Sequence, residues 1–101
     1  MEPETGTTTY SGKNLNGRPT ASGEPFDSKS LTAAHPSYPL GSLVRVTNTT
    51  TLKSVIVRIN DRVQPDPKRV IQLSKRASDV LELVPGPRGT EVTIEPLKKK
   101  Q

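Results

Sequence analysis

The sequence predicts an all-β domain, in the form of a small closed barrel of about six short strands with one short helix. Its 101 residues suffice for one domain with a modest core. Ten prolines and seven glycines divide the chain into short segments. Several of these segments alternate apolar and polar residues, as half-buried strands do. Since only 30% of the residues are hydrophobic and 3% aromatic, the core is expected to consist of Val, Leu and Ile.

The strand signals are strongest in the middle of the chain. Residues 42–48 alternate, and residues 54–60 place three aliphatic side chains on one face. The mostly polar connector at residues 49–53 has hairpin length, so these two strands are predicted to pair antiparallel. Further strands are predicted at the segments rich in β-branched or aliphatic residues: 7–11, ended by Gly12, then 70–73 and 91–94.

One helix is predicted, over residues 75–81. Ser74 is a good N-cap, and Ala77, Val80 and Leu81 fall on one helical face. The Val-Pro-Gly-Pro segment at residues 84–87 is expected to end the helix. Before it, the two prolines of the loop at 62–67 keep that loop out of a sheet interior.

Composition excludes several kinds of site. The chain has no cysteine and one histidine, so we expect no disulfide, no metal and no cofactor. The net charge is +5, of which three charges lie in the lysines at 98–100, and no basic stripe interleaved with aromatics is present. Nucleic-acid binding is therefore not expected. Without an apolar run of roughly 20 residues, stable membrane insertion is not expected either.

The predicted domain covers residues 7–96. Residues 1–6 are expected to form a disordered N-terminal extension and residues 97–101 a basic C-terminal tail. The N-terminus has neither the basic start nor the apolar run of a signal peptide. The chain is therefore expected to be either cytoplasmic or a mature domain with a replacement methionine.

Three titratable residues are candidates for chemistry, and the residues alone leave the role of each open. Asp61 ends the most apolar strand, where turn hydrogen bonds alone could hold it or where it could serve as a general acid. His35 is a lone histidine, which is more often structural than functional. Glu24 lies in a polar stretch where a solvated glutamate is the default. If the three met in one groove, they would make an acid/base site for a glycosidic bond.

Three motifs resemble the RlpA-like lytic transglycosylase family. They read Gly-Arg-Pro-Thr-Ala-Ser-Gly-Glu at residues 17–24, Leu-Thr-Ala-Ala-His at 31–35 and Arg-Ile-Asn-Asp-Arg at 58–62. The resemblance extends over residues 7–96 with matching gaps. It implies a six-stranded double-psi β-barrel, related to expansins and barwin, with one short helix.

The resemblance also implies an activity, the non-hydrolytic cleavage of peptidoglycan glycan strands to 1,6-anhydro-muramyl ends. The family's functional glutamate, histidine and aspartate fall on Glu24, His35 and Asp61. Asp61 would give and then retake the proton, while the other two orient the substrate and tune Asp61. Five further residues are expected to bind substrate: Tyr10, Ser22, Asn60, Arg62 and Gln72. Of these, Tyr10 has core packing as an equal alternative.

The expected partner is peptidoglycan glycan strands, with a preference for strands lacking stem peptides. The domain is expected to be a monomer that is periplasmic, outer-membrane-associated or secreted. Two departures from the family leave alternatives open. Val-Gln-Pro at 63–65 replaces the family's Gly-Pro-aromatic, and Gln72 stands where relatives have aspartate. A non-catalytic expansin-like module that binds or loosens the wall is therefore an alternative, and a protein-interaction scaffold is a third.

Overall fold

A computed structural model of the protein describes residues 3–11, 15–83 and 89–97. These residues form a closed six-stranded barrel with one helix, as the sequence predicts. The elements are β1 (Glu4–Ser11), β2 (Thr32–Ala34), β3 (Leu43–Asn48), β4 (Ser54–Asp61), β5 (Arg69–Ser74), α1 (Lys75–Leu81) and β6 (Thr90–Pro96).

The strands follow the order β1-β5-β2-β4-β3-β6 around the barrel. β1 pairs in parallel with β5, and β2 pairs in parallel with β4. The other four pairings are antiparallel, including the predicted pairing of β3 with β4. Every strand has a partner on both sides, so the described strands close into a barrel.

The core consists mainly of Val, Leu and Ile, as predicted. The inward positions of β3, β4 and β6 alternate with exposed ones, which is why their sequence signals were clear. Tyr38 and two alanines complete the core. The buried hydrophobic residues are Ala33, Tyr38, Val44, Val46, Val55, Val57, Ile59, Ile71, Leu73, Ala77, Leu81, Val92 and Ile94.

The predicted helix is confirmed at both ends. The Ser74 hydroxyl accepts a hydrogen bond from the Ala77 amide, and Glu82 ends the helix in the left-handed conformation at φ 56°. Ala77 and Leu81 are fully buried, and Val80 packs against the core. No helix of the described residues is long and apolar enough to cross a membrane. Gly12 and the segment 84–87, predicted to end β1 and α1, lie outside the described residues.

The prediction of a disordered extension at residues 1–6 is wrong for residues 4–6. β1 begins at Glu4, and the pairings Glu4↔Ile94 and Gly6↔Val92 tie its start to β6. Those backbone bonds come from a strand almost ninety positions later, so the local polar sequence could not reveal them. In the predicted tail, the Leu97 amide donates to the Leu43 carbonyl at 2.9 Å, and residues 98–101 lie outside the described part.

β2 has no counterpart among the strands located from sequence. It has three residues, of which Thr32 and Ala33 are both buried, so it shows no alternation. The strand lies between β4 and β5 and is paired with both. Its position is therefore set by its neighbours rather than by its own pattern.

Truncating the core of β4 tests this packing. Ile59→Ala is expected to lower the free energy of unfolding by about 2–5 kcal/mol, because it leaves a cavity inside the closed barrel. Urea unfolding measures the change. Ile56→Ala on the same strand is the control, since Ile56 is 44% exposed and Ile59 fully buried. Equal losses in the two variants would contradict the assignment of Ile59 to the core.

Candidate active site

Asp61 stands at the end of β4, next to an irregularity in its pairing with β2. Ala33 pairs with Ile59 but Ala34 pairs with Asp61, so Asn60 is an extra residue in β4. Such a bulge changes the direction of the side chains around it and is common beside functional sites. Asn60 itself is 3% exposed.

The register places β2 between β4 and β5, two strands that carry candidate residues. Asp61 pairs with Ala34, which pairs on its other side with Gln72. Two strand spacings therefore separate the backbones of Asp61 and Gln72, or roughly 10 Å. Both residues line a pocket of about 140 Å³. The whole lining is Leu15, Arg18, Pro19, Phe26, Thr32, Ala33, Ala34, Asn60, Asp61, Gln72, Leu73 and Ser74.

A tight loop holds this strand end from the other side. The Ala21 amide donates to Asp61 Oδ1 at 3.0 Å, and the Ser22 amide donates to the Asn60 carbonyl at 3.0 Å. The loop is closed by the Gly23 amide on the Thr20 carbonyl, with Gly23 at φ +94°. A glycine is favoured there because L side chains rarely adopt that φ.

The carboxylate of Asp61 is held through one oxygen. Oδ1 accepts from the amides of Ala21 and Arg62, at 3.0 and 2.8 Å. Within the described residues no hydrogen bond reaches Oδ2. The backbone thus fixes the orientation of the group through Oδ1 alone.

Glu24 forms an ion pair beside the pocket rather than in it. Arg58 donates to both carboxylate oxygens, at 2.5 and 3.2 Å, and Asn60 Nδ2 donates to Oε1 at 3.0 Å. The hydrogen bond from Arg58, followed by that from Asn60, lowers the pKa of Glu24. Glu24 is therefore an ionised acceptor held by an arginine and an amide, which suits a supporting role better than proton transfer.

His35 is buried at the start of a turn. Its Nδ1 accepts from the amides of Ser37 and Tyr38, both at 3.0 Å, and its ring stacks on that of Tyr38 at 3.5 Å. Burial is the main cause that lowers the pKa of His35; Glu4 opposes the shift and Arg62 adds to it. The Nδ1 atom must be unprotonated to accept these bonds, so the neutral ring stabilises the turn.

The imidazole of His35 lies in a separate depression from Asp61. That second groove is lined by His35, Pro36, Pro65 and Arg69, among others. The two sites adjoin through the backbone, where the His35 amide donates to the Asp61 carbonyl at 3.2 Å.

Three of the predicted substrate-binding residues lie outside the pocket lining. Arg62 Nη1 donates to the carbonyls of His35 and Tyr38, at 3.3 and 2.7 Å, so it braces the turn. The exposed Ser22 has its hydroxyl within 2.9 Å of the Thr20 hydroxyl. Tyr10 is 42% exposed and has the ammonium of Lys75 at 5.3 Å from its ring, so it is not a core residue.

The structure thus brings Asn60, Asp61 and Gln72 into one pocket, with Glu24 hydrogen-bonded to Asn60 and His35 in the lining of the second groove. Sequence reasoning overlooked Arg58, although residues two apart on a strand share a face and Arg58 stands two before Asn60. It also missed Tyr38, whose hydroxyl donates to Glu4 at 2.9 Å. Among the described residues no cluster of three His, Cys, Asp or Glu could hold a metal ion.

Comparison with known proteins identifies the family. A family model described as lytic transglycolase matches residues 4–94, nearly the whole chain. This chain belongs to that family. An endolytic peptidoglycan transglycosylase RlpA of Yersinia pestis is 49% identical over 72 residues, which are 71% of this chain and 20% of that protein. A probable RlpA of a Nostoc species is 52% identical over 73 residues, or 72% and 20% of the two chains. The chain spans about a fifth of the length of these relatives.

A solved structure shares the fold. An expansin from Clavibacter michiganensis superimposes with a TM-score of 0.72 at 16% identity, covering 99% of this chain and 52% of the expansin. The likeness confirms the predicted double-psi β-barrel related to expansins.

The His35 turn makes stability depend on pH. Because the folded protein has a lowered His35 pKa, the unfolded chain binds the proton first as pH falls. The stabilisation of the folded state by neutral His35 is complete above the pKa of the unfolded chain, about pH 6.5. It is lost as the pH falls through the lower pKa that His35 has in the folded protein. The urea concentration at the midpoint of unfolding should therefore fall from pH 7.5 to pH 5.5 in the wild type. It should fall less in His35→Gln. An equal drop in both proteins would show that the neutral imidazole does not stabilise the turn.

Proposed function

We propose that the domain is a peptidoglycan lytic transglycosylase. It cleaves the bond between N-acetylmuramic acid and N-acetylglucosamine without water and leaves a 1,6-anhydro-muramyl end. Family membership and the relatives named as endolytic peptidoglycan transglycosylases support this proposal.

The geometry of Asp61 is the observation that carries the proposal. One carboxylate oxygen is fixed by two backbone amides, and the other has no hydrogen bond among the described residues. The group lines a pocket beside Asn60 and Gln72. A fixed carboxylate with one available oxygen can carry a proton to a bound glycosidic oxygen and take one back.

In the proposed reaction Asp61 acts twice. As an acid it protonates the glycosidic oxygen while the bond from that oxygen to C1 of muramic acid breaks. The C6 hydroxyl of the same muramic acid then bonds to C1 and gives its proton to the Asp61 carboxylate. No water enters the product, so the site needs no second carboxylate to activate one. This differs from the usual pair of carboxylates in a glycosidase.

Glu24 and His35 each contact a chain neighbour of Asp61. Glu24 holds the amide of Asn60, and the His35 turn receives the Arg62 side chain. Both residues thus act on the Asn60–Arg62 backbone that presents Asp61. We assign them to positioning.

The proposed substrate is a glycan strand lacking stem peptides. An enzyme that acts on peptidoglycan works outside the cytoplasmic membrane, so we place the domain in the periplasm, at the outer membrane or outside the cell. We further propose that it works as a monomer, since its strands are all paired within one barrel.

Replacing the acid tests the proposal directly. Asp61→Asn keeps the shape and the Oδ1 acceptor but cannot carry the proton. It is expected to lower the yield of 1,6-anhydro products about 100- to 10,000-fold. The products are measured by mass spectrometry after incubation with intact and amidase-treated peptidoglycan.

Asp79→Asn is the matched control, because Asp79 lies on α1 and forms an ion pair with Lys75. Products from wild type and Asp79→Asn, but not from Asp61→Asn, would support the enzyme. Equal yields from all three would remove Asp61 from the chemistry. No product from any of them, with glycan binding retained, would reject the lytic activity.

Gln72 favours a second candidate function. It stands in the pocket lining at the position where the family resemblance implies aspartate, so Asp61 is the one carboxylate among the described lining residues. A pocket that has lost charge could retain binding without turnover. The alternative is an expansin-like module that binds or loosens wall glycan.

Restoring the carboxylate separates the two functions. In Gln72→Asp a second negative charge, on a strand two spacings from that of Asp61, raises the proton affinity of Asp61. The rate of anhydro release should rise about 2- to 10-fold at neutral pH. Gln72→Asn is the uncharged control. If Gln72→Asp released anhydro product and the wild type did not, the natural chain would have the binding function. If the two proteins released product at the same rate, Gln72 would have no influence on Asp61.

A further inference from the structure

The ion pair between Glu24 and Arg58 controls which atom of Asn60 reaches the pocket. A carboxylate held by an arginine can only accept hydrogen bonds. The amide group of Asn60 must therefore turn its nitrogen toward Glu24, as the 3.0 Å contact from Nδ2 to Oε1 shows. The carbonyl oxygen Oδ1 points the other way.

Asn60 Oδ1 is available to a ligand. Within the described residues it accepts no hydrogen bond, yet no buried side-chain nitrogen or oxygen there lacks a partner. Oδ1 must then be accessible although the residue as a whole is 3% exposed. Asn60 lines the pocket that also contains Asp61. The pocket therefore presents a fixed acceptor beside the proposed acid.

The remaining lining indicates what this acceptor would meet. Much of the wall is apolar, formed by Leu15, Phe26, Ala33, Ala34 and Leu73. An acetamido group combines a methyl group with an N–H donor, whereas a sugar hydroxyl has no apolar part. A pocket that offers a fixed acceptor next to an apolar wall is complementary to the acetamido group, whose N–H can meet the acceptor while its methyl group meets the wall.

We infer that Arg58 is a positioning residue which, through Glu24, fixes Asn60 so that its Oδ1 accepts a hydrogen bond from the acetamido N–H of an N-acetylated sugar. The inference rests on the proposed function, because it names the sugar substituent that the same pocket selects. It assigns Glu24 to substrate selection and not to proton transfer.

The test compares two neutral oligosaccharides on the full chain. The β-1,4-linked pentamers of N-acetylglucosamine and of glucose differ at the 2-position, where one has the acetamido group and the other a hydroxyl. Isothermal titration calorimetry gives a Kd for each, and their ratio is the discrimination. The wild type is expected to favour the acetylated pentamer.

Two substitutions in the ion pair release the side-chain amide of Asn60 from its fixed orientation. Glu24→Gln offers an amide that can also donate, so Asn60 can turn over, and Arg58→Met removes the fork that holds Glu24. Each should lower the discrimination about 2- to 10-fold, the effect of one hydrogen bond. The variants change the net charge in opposite directions, so a loss shared by both cannot arise from charge.

A matched ion pair elsewhere on the barrel serves as the control. Arg45 and Glu95 are 3.3 Å apart on β3 and β6, with side chains 46% and 50% exposed. Arg45→Met and Glu95→Gln should leave the discrimination unchanged. The side-chain amide signals of Asn60 in ¹⁵N–¹H NMR should shift in the two variants of the Glu24–Arg58 pair and not in the controls.

The outcomes separate this inference from the proposed function. Equal affinity for the two pentamers, or discrimination that survives in both Glu24→Gln and Arg58→Met, would overturn the acetamido assignment and leave glycan cleavage standing. Binding of neither pentamer would overturn the acetamido assignment, while the yield of anhydro product from peptidoglycan would decide the proposed function separately. If Glu24→Gln abolished anhydro product at saturating peptidoglycan with discrimination intact, Glu24 would belong to the chemistry and the positioning role would be wrong.

Discussion

Two backbone hydrogen bonds, from Ala21 to Asp61 Oδ1 and from Ser22 to the Asn60 carbonyl, join the loop at residues 20–24 to the end of β4. The positions of both carboxylates at the site depend on this junction. It orients the carboxylate, and it also brings Glu24 within reach of Arg58 and Asn60. Because the donors are main-chain amides, the loop can hold Asp61 with side chains as small as those of alanine and serine. The backbone of the loop therefore fixes the orientation of the Asp61 carboxylate.

The site separates its two carboxylates by their partners. Glu24 is paired with the guanidinium of Arg58 and stays ionised, so its charge stabilises the ion pair. Asp61 has only neutral amide donors, and one of its oxygens has no hydrogen bond among the described residues. The two groups have the same chemistry but different neighbours. The neighbours decide that Asp61 is the one that can exchange a proton with a ligand.

Sequence patterns predicted the parts of this structure that are locally encoded. β3, β4 and α1 were predictable because alternation and a serine cap are local signals. β2 and the start of β1 were not, since both are held by pairing with distant strands. At the site, the motifs named Glu24, His35 and Asp61, but composition could not say that an arginine neutralises one of them. The bulge at Asn60 also depends on β2, which no local pattern revealed.

The proposed reaction does not require a carboxylate at position 72. In a hydrolytic site a second carboxylate activates the attacking water, so its loss would remove the nucleophile. In the proposed reaction the nucleophile is a hydroxyl of the substrate, and one proton carrier serves both steps. The neutral residue can still line the pocket and bond to a sugar, but it cannot raise the proton affinity of Asp61. If the proposed reaction holds, Gln72 would therefore affect its rate and not the order of its two proton transfers.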